Sequence, residues 1–149
     1  MKVAVDTTIL VYAEGVNGIQ RRIEARSLLD RLPGDSIALP VQALGELFNV
    51  LVRKAGRNPS EARLAFTAWR NSYQSIDTTS SIMLAAADLA QNQFSIWDAV
   101  IVCAAAEAGC QLLLSEDMHD GFVWKGVTIA NPFAHTTHPL LRSALGQKP

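Results

Sequence analysis

The stretch Val3-Ala4-Val5-Asp6-Thr7-Thr8-Ile9-Leu10-Val11-Tyr12 decides the fold. An apolar, β-branched run ends on a carboxylate and two hydroxyls, after which the apolar pattern resumes as a short helix. Asp6 is thereby placed at the C-terminal edge of a strand. In open parallel α/β sheets ligands bind at that edge, because strand ends and helix starts leave a crevice between them. A strand-end Asp also has an ordinary use, capping the next helix. Thr7 and Thr8 can fill that role equally well, which leaves Asp6 free.

Outward from this unit, strands and helices alternate. Residues 19–32 read as an amphipathic helix with Ile19, Ile23, Leu28, Leu29 and Leu32 as apolar positions and Arg21, Arg22, Arg26 and Arg31 on a polar face, ended by Pro33-Gly34-Asp35. A short strand, 36–39, closes at Pro40. Residues 41–55 carry Leu44, Leu47, Phe48, Leu51 and Val52 at helical spacing, with Glu46 on the same helix and Gly56 as its stop. A turn at 58–61 leads into a helix ending near Tyr73, with Leu64, Phe66, Ala68 and Trp69 as core candidates. Residues 75–77 form a short strand, and Thr78-Thr79-Ser80-Ser81 offers N-caps for a helix through Ala90 that breaks at Asn92-Gln93-Phe94. Ser95 caps a helix over 96–108, Gly109 ends it, and strands follow at 111–114 and 127–129. The pattern predicts one domain, a three-layer α/β/α sandwich around a mainly parallel sheet, over residues 1–133. Residues 134–149 are a C-terminal tail with no assigned element and are expected to be flexible.

The 149 residues, 49% hydrophobic, suffice for a single core, and a net charge of −1 announces no polyanion partner by itself. Cys103 and Cys110 share a helical segment but stand too far apart along its axis for a disulfide, so they read as buried thiols. The chain starts directly with a strand, without a signal peptide's basic and apolar regions, and no apolar run approaches the ~20 residues that span a bilayer. A soluble, cytoplasmic protein is expected.

Three further carboxylates stand out. Asp98 is nearly the only charge on a helix that is apolar all round, a pattern of burial on every side. Ser95-x-x-Asp98 matches a capping box, but capping does not require a charge rather than a glutamine on a buried helix. Glu46 borders the apolar stripe of its helix and can face inward at a rim. Asp117 follows the strand Leu112-Leu113-Leu114 and repeats the strand-then-acid arrangement of Asp6, with Ser115 available to hold a carboxylate or a water. Glu116 and Asp120 are nearby acids expected to be solvated. Carboxylates gathered in one crevice repel one another and call for a cation, and oxygen ligands suit Mg²⁺ or Mn²⁺. His135-x-x-His138 is a two-ligand fragment with no compact zinc set around it.

Val5-Asp6-Thr7-Thr8, Glu46-Leu47-x-x-Val50-Leu51, Trp97-Asp98-Ala99-x-Ile101 and Leu113-Leu114-Ser115-Glu116-Asp117 occur in this order. On these motifs, from Met1 to Phe133, the chain resembles the PIN-domain family of metal-dependent nucleases, particularly bacterial toxins of the VapC type. It departs from the family at Thr8, where Asn or Ser is frequent, and a hydroxyl still serves there. The resemblance implies endonucleolytic hydrolysis of RNA. Asp6, Asp98 and Asp117 are then the principal metal ligands, direct or through water, and Glu46 completes the site or orients the attacking water. Thr7, Thr8 and Ser115 hold the carboxylates, and Arg21, Arg22, Arg26, Arg53, Lys54 and Arg57 are candidate phosphate contacts. It further implies an antitoxin whose C-terminal segment covers the groove, and a homodimer. Two alternatives are a solitary RNA-processing nuclease and a noncatalytic binding module. A phosphotransferase of the haloacid-dehalogenase type needs a second Asp where Thr8 stands.

Overall fold

A computed structural model describes residues 1–91 and 94–146. The first apolar run is β1 (Val3–Val5), and the helix after Asp6 is α1 (Thr7–Ala13). There follow α2 (Ile19–Arg31), β2 (Ile37–Pro40), α3 (Val41–Arg53), α4 (Pro59–Ser72), β3 (Gln74–Ile76), α5 (Ser80–Leu89) and α6 (Ile96–Glu107). The chain continues with β4 (Leu112–Leu114), β5 (Val123–Trp124), β6 (Val127–Ala130) and α7 (Pro139–Ala144). The strands form one sheet in the order β3-β2-β1-β4-β6-β5, parallel except for β5, which pairs antiparallel with β6.

Alternation along each strand builds the two faces. Val3, Val5, Ile37, Leu39, Leu112 and Leu114 pack with α1, α2, α3 and α4 on one side. Ala4, Ala38, Leu113, Val127 and Ile129 pack with α5 and α6 on the other. This is the expected three-layer α/β/α sandwich around a mainly parallel sheet. Helix α6 is buried continuously from Ala99 to Ala105, as its all-apolar sequence requires.

Several local readings are corrected. In α2 only Ala25, Leu28 and Leu29 are buried, while Ile19 and Ile23 are 74% and 57% exposed. At 3.6 residues per turn these two isoleucines stand about half a turn away from Leu28, so the five apolar residues never made one stripe. In α4 the buried residues are Ala62 and Trp69, and Leu64 and Ala68 are exposed for the same reason. The pair β5 and the helix α7 are elements the sequence did not suggest. Leu141 of α7 is buried in the core, so part of the stretch read as a flexible tail is packed. Asn92 and Gln93, expected to break a helix, lie outside the described residues.

Candidate metal centre

Strand order fixes the place of the site. The chain runs from β1 to β2 on one side, and β4 comes in on the other, so the β1/β4 boundary is a topological switch point where a crevice opens at the strand C-termini. Val5 is in register with Leu114, and the Asp6 amide donates to Leu114 O at 2.9 Å. The residues that leave these strands, Asp6 and Ser115, therefore stand side by side. Helix α3 enters at the same rim from β2 and carries Glu46, and α6 begins there with Asp98 in its first turn.

Asp6, Glu46, Asp98 and Asp117 line one open cleft of about 580 Å³. Ser115 Oγ donates to Asp6 Oδ2 at 2.7 Å and lies 3.1 Å from Asp117 Oδ1. Thr7 Oγ1 donates to Glu46 Oε2 at 2.9 Å. Thr7 and Ser115 are thus each in contact with a carboxylate of the cleft. Thr8 lines the same cleft, but its buried Oγ1 has no partner among the described residues. Ser95 Oγ accepts from the Asp98 amide at 3.1 Å, and the return bond of a capping box is not made among the described residues. Asp98 lines the cleft.

The extended residue before α1 is Asp6 itself, so the helix cap falls to Asp6 and not to the threonines: its Oδ1 accepts from the Thr7 amide at 2.7 Å. Capping uses one oxygen and leaves lone pairs on both.

Electrostatics at the site favour a cation. Asp6 is the one buried charged side chain among the described residues, and its carboxyl is pushed up from 3.8 to about 7, first by burial and then by Asp117 and Asp98, against the pull of Ser115 and the Thr7 amide. Glu46 is raised by burial and by Asp98 and Asp117. Asp98 is raised by burial and by Asp117. A hydroxyl has a single hydrogen, so Ser115 alone cannot fully satisfy two carboxylates, and Asp6 is the group readied to hold a proton or exchange it for a metal.

The donor set fits a hard cation. It offers carboxylate oxygens with hydroxyls around them and no sulfur. Among the described residues no three Asp, Glu, His or Cys side chains close into a cage around one point. Mg²⁺ needs less than such a cage, being commonly held by one or two carboxylates with waters and substrate phosphate completing the shell. His138 is used otherwise, its Nδ1 accepting from the Leu140 amide to cap α7.

Of the neighbouring acids, Asp120 is exposed as expected, whereas Glu116 is partly covered. Glu116 accepts from Tyr12 Oη at 2.5 Å and lies 3.6 Å from Arg21, which crosses the Phe133 ring, and Asp120 accepts from the Asn131 amide at 2.9 Å. Other arginines are engaged too. Arg57 and Arg26 converge on Glu14, and Arg53 donates to Asn49. Of the six basic candidates only Lys54 lines the cleft. Sequence reading missed Tyr12, Gln42, Gly45 and Asn49 as cleft residues. Gln42 and Asn49 stand at i−4 and i+3 from Glu46, and Gly45 at i+3 from Gln42 and i−4 from Asn49, which was the available signal.

A profile of the PIN domain matches residues 3–119. No curated protein matches the sequence. Among solved structures, the Mycobacterium tuberculosis VapC20 toxin, described as cleaving the sarcin-ricin loop, superposes with a TM-score of 0.63 at 21% identity over 75% of this chain and 87% of its own. A toxin-antitoxin complex from Klebsiella pneumoniae gives 0.65 at 19% identity, covering 89% of this chain and 98% of that one. DNA-bound VapBC from Salmonella typhimurium gives 0.64 at 14%, covering 89% and 98%.

Proposed function

The chain belongs to the PIN-domain family, and from that premise we propose that it is a metal-dependent endoribonuclease, the toxin of a toxin-antitoxin pair. The observation that carries the reading is the convergence of Asp6, Glu46, Asp98 and Asp117 on one open cleft from four different elements. Asp6, Asp98 and Asp117 would hold Mg²⁺ or Mn²⁺, directly or through water. Such an ion supplies charge neutralisation at a phosphodiester and a more acidic water. The chain supplies position and proton affinity. Ser115 donates to Asp6 and stands 3.1 Å from Asp117, and Thr7 fixes Glu46 to the start of α1. Glu46, whose proton affinity burial raises, is suited to complete the metal set or to orient a water and accept its proton.

The Klebsiella pneumoniae neighbour, crystallised as a toxin-antitoxin complex, supports a partner of the same kind here, with an antitoxin segment laid over the cleft, and the resemblance to the family implies a homodimer. No helix among the described residues is long and apolar enough to cross a membrane.

The test is cleavage of labelled tRNA, rRNA and mRNA fragments with Mg²⁺, Mn²⁺ or EDTA. Cleavage that needs the ion and disappears in folded Asp6→Ala and Asp98→Asn is the expected result. Activity that persists in EDTA overturns the metal mechanism, and inactivity on every RNA with a folded wild type favours a noncatalytic module. Co-purification with the product of a short adjacent reading frame tests the antitoxin assignment.

A further inference from the structure

We infer that the α3 wall of the cleft, from Gln42 through Gly45 and Asn49 to Lys54, is the track along which single-stranded RNA lies, with the strand closest to the helix at Gly45. The inference rests on the ribonuclease reading and adds where the substrate runs.

Gly45 is the anomaly that leads to it. It stands inside a 13-residue helix, where glycine is the poorest residue after proline. Its backbone is not among the positive-φ glycines, and a Cβ added there meets no atom within 4 Å. Neither backbone conformation nor the protein's own packing calls for glycine. The missing methyl is missing from the cleft wall, so the room it leaves belongs to whatever enters the cleft.

The residues around Gly45 describe the ligand. Helical geometry puts Gln42, Gly45, Glu46 and Asn49 on one face of α3, and all four line the cleft. Asn49 Oδ1 accepts from Arg53 Nε at 3.1 Å, which leaves its amide group as a donor. Lys54 is the single basic residue lining the cleft among the described residues. It stands eight residues beyond Glu46, about 12 Å along the helix axis, and therefore meets a phosphate other than the one at the carboxylates. Donors for phosphate oxygens and 2′-hydroxyls along the wall, with one cation at the end away from the acids, suit a single RNA strand.

The experiment compares wild type, Gly45→Ala and Lys54→Gln by thermal melting, by anisotropy of a labelled RNA oligonucleotide, and by cleavage kinetics. Gly45→Ala is expected to melt above wild type while its RNA Kd and KM rise by about tenfold or more, the scale of one misplaced methyl group in a fitted site. Lys54→Gln is expected to flatten the salt dependence of binding by roughly 0.7 in log–log slope, one phosphate contact on a single strand. Gly45→Ala that binds and cleaves RNA like wild type overturns the inference, including when a protein partner is bound less well. A lower melting point for Gly45→Ala overturns it too, because the fold itself would then need the glycine. An unchanged salt slope for Lys54→Gln removes Lys54 and overturns the track as drawn. Wild type that neither binds nor cleaves RNA overturns this inference and the ribonuclease reading together, whereas an active wild type with an equally active Gly45→Ala overturns this one alone.

Discussion

At Asp6 the two carboxylate oxygens have different neighbours, the helix amide of Thr7 on one and the Ser115 hydroxyl on the other. Its carboxyl is raised from 3.8 to about 7 in the fold. Between these values the native state binds more protons than the unfolded chain, so stability falls as pH rises. The contribution is full below about pH 4 and is lost as pH passes through about 7. Without metal, Tm is expected to drop across that window, and Glu46 and Asp98 act in the same direction. Asp6→Asn should flatten the profile in part. Identical profiles for variant and wild type would remove Asp6 as the cause. Ser115→Ala deletes the hydroxyl shared by two carboxylates and should cost about 10–100-fold in metal affinity or activity, read by metal titration and cleavage rate. Effects below threefold would mean that the backbone alone positions Asp117. That Asp6, Asp98 and Asp117 stand at one rim was legible because strand ends and a helix start announce themselves in sequence. Asp6's capping role was not, since it turns on which residue is the last extended one.

Elements were read well where one periodicity dominated and poorly where apolar residues were counted without their angle. Helix α3 has a single apolar face, Ala43, Leu44, Leu47 and Leu51, and was placed correctly. In α2, Ile19 and Ile23 are apolar but turned away from the core. The join between α1, α2 and α4 was invisible, because it is made by residues far apart in sequence. Glu14, at the C-terminal end of α1, accepts from Arg57 Nη1 at 2.6 Å and Trp69 Nε1 at 3.0 Å, with Arg26 Nη2 at 3.9 Å. Its side chain is largely covered, whereas Arg57 keeps 28% exposure. Removing Glu14 therefore leaves the Trp69 N–H without its acceptor but lets Arg57 turn to water. Glu14→Ala is expected to destabilise by about 1–3 kcal/mol, the cost of lost hydrogen bonds to a charged group. Trp69→Phe, which keeps the packing, should cost less. Denaturant unfolding of both variants checks the order, and a neutral Glu14→Ala would show that these helices are held by apolar contact alone.

For the molecule as a whole, the strand order β3-β2-β1-β4-β6-β5 turns a sequence of separate acids into one site, because it sets β1 beside β4 and leaves the rim open. Alternating strands and helices made the parallel sheet legible. They carried no signal for the two-residue strand β5 or for α7, elements too short to show a period. The same assembly concentrates negative charge at one rim of a chain whose net charge is only −1. Folding must then work against carboxylate repulsion unless a cation is present, and a cation that binds only the native rim stabilises it by mass action. Mg²⁺ at 100 times its Kd should add about 2.7 kcal/mol, seen as a Tm that climbs with ion concentration at pH 8 and falls back in EDTA. The gain should shrink at pH 5, below the raised pKa of Asp6, where a proton competes with the ion for its carboxylate. It should shrink further in Asp6→Asn with Asp98→Asn, whose metal-free form has less repulsion to relieve and should match or exceed wild type in Tm. A Tm indifferent to Mg²⁺ and Mn²⁺ at pH 8, in protein that is folded throughout, would mean that the four acids tolerate one another without a cation and would remove the physical reason for a metal at this rim.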